Sequence, residues 1–247
     1  MSGEMVDIQT PDGVADAYLA RPEADGEYPG VLLVIDAFGL RDQIKTMADR
    51  IAGEGYVVLA PNLFYRTGRA PAFELPDMST PEGREQMMSK IMPLIVALTD
   101  ELMVSDADAY LGFLEQASNG AAAITGYCMG GRIGWTIAAA YPERVAALGA
   151  FHTGRLVTED ENSPHLAADK VKAELYFGFA DNDASATPEQ IATLESALQS
   201  AGASYRAEIY EDAPHGYTMN DTAAYNEAAA ERHYVELFSL LDRTVAA

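Results

Sequence analysis

Gly30 to Ile35 (GVLLVI) is an apolar, β-branched run without polar alternation. Such a strand has no face to offer water, so it belongs inside a sheet covered by helices on both sides. The same theme repeats along the chain. An amphipathic stretch from Arg41 to Gly53 leads to a second apolar run, Tyr56 to Ala60. The alternation returns through 121–127 (AAAITGY), a helix-like 130–141, 145–151 (VAALGAF), 173–179 (AELYFGF), a helix-like 187–200 and 204–210 (SYRAEIY). Successive strand–helix–strand units predict an α/β fold with a mostly parallel central sheet. Two alternating segments, Met5 to Thr10 and Ala15 to Leu19, flank the turn Pro11-Asp12-Gly13 and predict an opening hairpin. A last segment with helical spacing, from about Thr222 to Leu241, closes the sheet. Simple alternation breaks down between Phe64 and Thr80, which is rich in proline, glycine and small residues and leads into helix-like stretches near 81–99 and 101–117.

A chain of 247 residues falls within the roughly 200–250 that α/β folds occupy as one unit, so 1–247 is read as a single domain. Its 49% hydrophobic content is enough to fill a large core. With 38 acidic against 16 basic residues the net charge is −22, which repels a phosphate backbone or an anionic lipid surface over most approaches. Nucleic-acid and membrane roles are disfavoured on that ground. The start MSGEMVDIQT has neither a basic nor an apolar run, and no stretch approaches the ~18 apolar residues of a membrane span, so a cytoplasmic location is expected. Cys128 is the only cysteine, which rules out an internal disulfide and a cysteine-based zinc cluster.

That cysteine stands in Gly126-Tyr127-Cys128-Met129-Gly130-Gly131, between a strand-like and a helix-like segment. G-x-C-x-G at a strand-to-helix turn is the pattern of a nucleophile elbow, where small residues two positions either side relieve crowding around a strained backbone. The turn sets the thiol at a helix N-terminus, and the next backbone N–H, that of Met129, is placed to stabilise an oxyanion. A lone cysteine without such context is read as a small buried hydrophobe. The glycine frame reverses that reading.

A thiol nucleophile needs a base, usually a histidine oriented by a carboxylate. His215, in Ala213-Pro214-His215-Gly216, follows the last strand-like run, where a loop beyond the carboxyl edge begins. His165 and His233 are read as surface residues, and His152, which follows the run 145–151, as a structural histidine at the same edge. Asp181 comes directly after the run 173–179 and is the expected orienting acid. Asp183 competes two residues on, but is also read as a cap for the helix beginning near Pro188. Nucleophile, acid, histidine is the chain order of α/β-hydrolases. Tyr127 and Trp135 are read as packing residues beside the elbow.

These residues, with Asp36-Ala37-Phe38-Gly39-Leu40 and the segment from Gly55-Tyr56 to Pro61-Asn62-Leu63, resemble the dienelactone hydrolase (carboxymethylenebutenolidase) family over nearly the whole chain. The resemblance implies an α/β-hydrolase fold with Cys128 as nucleophile, Asp181 as orienting acid and His215 as base. It also implies an oxyanion hole made by the backbone amides of Met129 and Ala37. Asp36 stands where family members often carry a glutamate that contacts the resting thiol, one methylene longer. Arg84, in Arg84-Glu85-Gln86, matches the region where dienelactone hydrolases place an arginine that binds the substrate carboxylate. A second such arginine, expected a few residues after the histidine, is replaced by the uncharged stretch Gly216-Tyr217-Thr218-Met219-Asn220.

The activity this implies is hydrolysis of a small, anionic ester or lactone through an acyl-enzyme intermediate, with no cofactor and no metal. The rival class is an α/β-hydrolase scaffold that binds a small molecule without turning it over.

Overall fold

The computed structural model describes residues 3–74, 76 and 80–245, the side chains of Pro81 and Arg84 excepted. Strands β1 (Glu4–Thr10) and β2 (Gly13–Ala20) form the expected hairpin, with Thr10 paired to Gly13 across the turn. Six further strands follow: β3 (Pro29–Val34), β4 (Val57–Pro61), β5 (Asn119–Tyr127), β6 (Val145–Phe151), β7 (Glu174–Ala180) and β8 (Tyr205–Tyr210). They make one eight-stranded sheet in the order β1-β2-β4-β3-β5-β6-β7-β8. β1 and β2 are antiparallel to each other and β2 to β4, while every pairing from β4 to β8 is parallel. This is the architecture of an α/β-hydrolase.

The inner strands read as uniformly apolar because helices cover both faces. Helices α1 (Asp42–Gly53) and α6 (Glu227–Thr244) share one face and are joined by an Arg50–Glu231 ion pair. On the other side α3 (Asp100–Ala117) and α4 (Met129–Ala140) pack on β3, β5 and on each other. Helix α2 (Pro81–Ala97) precedes them, and α5 (Pro188–Ala201) lies between β7 and β8 in the chain. The final helix begins at Glu227 rather than near Thr222, because Asn226 caps it by accepting the Ala229 N–H. Residues 216–226 are thereby left as a loop. Among the described residues no helix is long and apolar enough to cross a membrane.

One expectation about the surface is overturned here. His233 is fully buried on the inner face of α6, not exposed. Its Nδ1 bonds the Ala230 carbonyl and its Nε2 the Tyr127 hydroxyl, while its ring packs edge-on against Phe151. Helical spacing marks a histidine as facing in or out only when its neighbours decide the face, and the arc Ala230, His233, Tyr234, Leu237 is the buried one. Tyr127 and Trp135 are buried packing residues, Trp135 donating its indole N–H to the Pro164 carbonyl. His165, half-buried, bonds Ser163.

Burial pushes His233 down to about 3, against the pull of its Ala230 contact. A histidine whose folded value lies below its unfolded one binds its proton more readily in the unfolded chain, so it withdraws stability as pH falls below ~6.5. Urea unfolding of wild type and His233→Leu at pH 7 and pH 5.5 should show the wild type losing about 1 kcal/mol more than the variant between the two conditions. Equal losses would mean that His233 is protonated in the native fold.

Candidate active site

Cys128 lies between the last residue of β5 and the first of α4, and its backbone sits at φ 55°. That left-handed conformation is costly for a side-chain-bearing residue and persists only where the surroundings impose it. Gly126 and Gly130 supply the room. A Cβ on Gly126 would come 2.3 Å from the Gly130 carbonyl oxygen, and one on Gly130 would come 2.2 Å from the Val34 carbonyl oxygen. Both contacts are to backbone, which cannot step aside. The elbow read from G-x-C-x-G is therefore present, and the thiol is raised, half-buried, over the carboxyl edge of the sheet.

His215 reaches the thiol from the loop after β8, its Nε2 3.0 Å from Cys128 Sγ. On its other side Nδ1 donates to an Asp183 carboxylate oxygen at 2.6 Å. The expected acid, Asp181, is not the partner. Asp181 accepts the Asp212 N–H and donates its own N–H to the Ala213 carbonyl, tying the end of β7 to the turn after β8. Asn182 then adopts φ 52°, and this left-handed step turns the chain so that Asp183, not Asp181, faces the histidine. Asp183 Oδ1 is held by the amide and hydroxyl of Ser185, which leaves Oδ2 for His215. The sequence did hold a signal against reading Asp183 as a helix cap. Thr187 and Gln190 form a complete capping box for α5, so the helix needed no cap from Asp183.

Burial disfavours the charged imidazole of His215, yet the bonds to Asp183 and then to Cys128 outweigh it and hold the ring up at about 10. A proton on His215 is thus favoured, which is the state left when the thiol hands its proton to Nε2. Asp183 is shifted down, its burial overcome by His215 and Ser185.

The loop after β3 supplies a second wall. Its hydrogen bonds engage the amides of Phe38, to an Asp36 carboxylate oxygen, and of Gly39, to the Asp36 carbonyl, but not that of Ala37. Met129, first residue of α4, has no intrahelical acceptor for its own amide. Asp36 does not bond the thiol. Its carboxylate is buried and gripped by Arg41 through both oxygens, at 2.7 and 3.0 Å. Aspartate's short reach keeps it with the guanidinium, a partner that sequence reading missed because it depends on how the loop folds back. Arg84 lies in the first turn of α2, and its side chain falls outside the described residues.

A cavity of about 200 Å³ opens beside the thiol, lined by Asp36, Ala37 and Phe38 of the loop after β3, by His152 after β6, and by His215, Gly216, Met219 and Thr222 to Ala224 of the loop after β8. His152, read from sequence as structural, is both structural and part of this wall. It is fully buried at φ 38°, bonds Thr218 through Nε2 and meets the His215 ring edge-on. Burial, then the neighbouring His215, pushes it well down, so it stays a neutral imidazole. Among the described residues no group of three or more His, Cys, Asp or Glu side chains is arranged to hold a metal ion.

Comparison with known proteins agrees with the fold. The profile of the dienelactone hydrolase family matches residues 15–245. A candidate carboxymethylenebutenolidase of Salmonella typhi is 30% identical, over 91% of this chain and 86% of its own length. Another, from Methylorubrum extorquens, is 31% identical over 94% of this chain and 77% of its own. The crystal structure of a candidate dienelactone hydrolase from Klebsiella pneumoniae superposes with a TM-score of 0.81 at 27% identity, covering 98% of each chain.

The contacts of the two aspartates separate their roles. Asp183→Asn should lower turnover about a hundredfold or more, because the amide cannot hold the His215 tautomer or balance its charge. Asp181→Asn keeps an acceptor for the Asp212 amide and should cost little. Steady-state kinetics on one activated ester would settle the ranking, and a larger loss at Asp181 would return it to the triad.

Proposed function

This chain belongs to the dienelactone hydrolase family, and on that premise we propose that it hydrolyses small esters or lactones with Cys128 as a covalent nucleophile. The observation that carries the reading is the unbroken chain Asp183–His215–Cys128, with bonds of 2.6 and 3.0 Å. A solvated thiol would need no such arrangement, and a cysteine kept for packing would not be aimed into a cavity.

In this mechanism the Cys128 proton passes to His215 Nε2 and Sγ attacks the substrate carbonyl. The resulting oxyanion sits between the amides of Met129 and Ala37, whose dipoles are fixed before charge develops. Collapse expels the alcohol oxygen, which takes the proton from His215, and leaves a thioester on Cys128. In a lactone the alcohol stays tethered to the acyl group. His215 then deprotonates water, which attacks the thioester, and Sγ departs with the proton returning to complete the cycle. Thiolate is itself a good leaving group, so the tetrahedral intermediate can fall back to reactants. Activated substrates such as enol lactones and aryl esters, whose alcohols leave easily, suit this site better than alkyl esters.

Two measurements test the nucleophile and separate a hydrolase from a binding scaffold on the same fold. Stoichiometric alkylation of Cys128 should abolish hydrolysis of 4-nitrophenyl acetate, and Cys128→Ser should fold normally while losing most of its turnover, since a hydroxyl is far harder to deprotonate. Mass spectrometry after an acid quench should find an acyl adduct on Cys128. Full activity in alkylated protein would exclude the cysteine, and a ligand retained with neither turnover nor adduct would identify a binding protein.

A further inference from the structure

Arg41 has no contact with Cys128 or His215, yet it joins the two flanks of the cavity. It is 8% exposed. Its Nη1 donates to Asp36 Oδ1 and to the Gly39 carbonyl, Nη2 to Asp36 Oδ2 and Asp221 Oδ1, and Nε to Asp221 Oδ2. A guanidinium has five N–H groups, and these bonds use all of them. Asp36 belongs to the flank that carries Ala37, and Asp221 to the loop that runs from His215 to α6. The two carboxylates are 185 residues apart in sequence and are bridged by Arg41.

Two consequences follow for whatever enters the cavity. First, Arg41 has no donor left for a ligand, although its Nη2 lies 3.5 Å from the sulfur of Met219 in the pocket wall. Second, the described lining residues include no lysine or arginine: beside Cys128, His152 and His215 the wall is largely apolar, with Ala37, Phe38, Met219, Ala223 and Ala224, and its polar remainder is Thr222 and the Asp36 carboxylate. An anionic group placed there would meet mostly apolar side chains and the Asp36 carboxylate, with the Arg41 guanidinium committed to Asp36 and Asp221 and both ring nitrogens of His215 engaged by Asp183 and Cys128. Desolvating an anion without a partner is costly, whereas an alkyl or alkenyl group gains from the same surroundings.

We infer that this cavity is the acyl pocket and takes an uncharged, apolar acyl group, with Arg41 as the positioning residue that bridges its two flanks and keeps no donor free for a ligand. This rests on the proposed hydrolase reading only for the word acyl; the preference for a neutral ligand is a property of the pocket. It also runs against the anionic substrate expected from Arg84.

The test therefore uses a probe that reacts at Cys128 without any need for turnover. N-propylmaleimide and 3-maleimidopropionate differ only in a terminal methyl or carboxylate, and the thiol adds across the ring double bond of either. Rates are measured in 1 M NaCl, where a Debye length of about 3 Å removes the general field of an acidic protein. The neutral probe should react at least about tenfold faster than the anionic one, beyond the ratio that free glutathione gives. Asp221→Asn releases Arg41 from one carboxylate and should shrink that preference, while Glu143→Gln, on an exposed side chain remote from the pocket, should leave it unchanged. A ratio equal to that of glutathione overturns the inference, as does a faster anionic probe. If that faster rate disappears in Arg84→Ala, Arg84 supplies the cation. A preference that survives Asp221→Asn intact would refute the role given to Arg41. Since alkylation does not require hydrolysis, a protein that turns over no ester but keeps the preference would refute the hydrolase reading alone.

Discussion

The whole site depends on one backbone conformation, the left-handed turn at Cys128. It costs free energy that packing must offset, and the packing is specific: β5 enters beneath it through Gly126, and α4 leaves against the β3 backbone at Gly130. Relaxing that turn would swing the thiol away from His215 and the Met129 amide together. The parallel sheet is what makes the arrangement possible. It brings the ends of β3, β5, β7 and β8 to one edge, so the residues following those four strands converge although they lie far apart in the chain.

Most of the fold was legible in the sequence because its inner strands are apolar almost without interruption and its helices are not. The opening hairpin, β6 to the residue and the strand–helix turn at Cys128 stand where pattern and turn chemistry put them. His215 was legible for the same reason, as the histidine just past a strand end. What failed needed knowledge of loop geometry. Asp181 is nearer its strand than Asp183, but a left-handed Asn182 decides which of them faces the histidine, and no periodicity reports a single φ. His233 was misjudged because a polar residue on an amphipathic helix was assigned to water, whereas Tyr127 satisfies it inside the core. The bridge from Asp36 through Arg41 to Asp221 depends on two loops meeting, and nothing local encodes that.

Charge is distributed unevenly between surface and interior. The acidic excess of the whole chain lies largely outside, in pairs such as Arg144 with Asp108 and Glu115, where each contact contributes little. Around the thiol the charges are few and paired: His215 with Asp183, Arg41 with two carboxylates. His152 and His233 are kept neutral in the same region. The site thus favours a proton on His215 and denies it to His152, whose ring lies 5.4 Å away, and to His233 in the core beneath.

The reach of Arg41 across the molecule also bears on how the protein is made. During synthesis Cys128 leaves the ribosome well before His215, and Asp36 with Arg41 waits longer still for Asp221. Until the segment after β8 has docked, the nascent chain carries a thiol without its imidazole and a buried arginine without one of its two counter-ions. The hydrogen-bonded chain Asp183–His215–Cys128 is therefore completed only with the last quarter of the chain, when the segment that also carries Asp221 arrives.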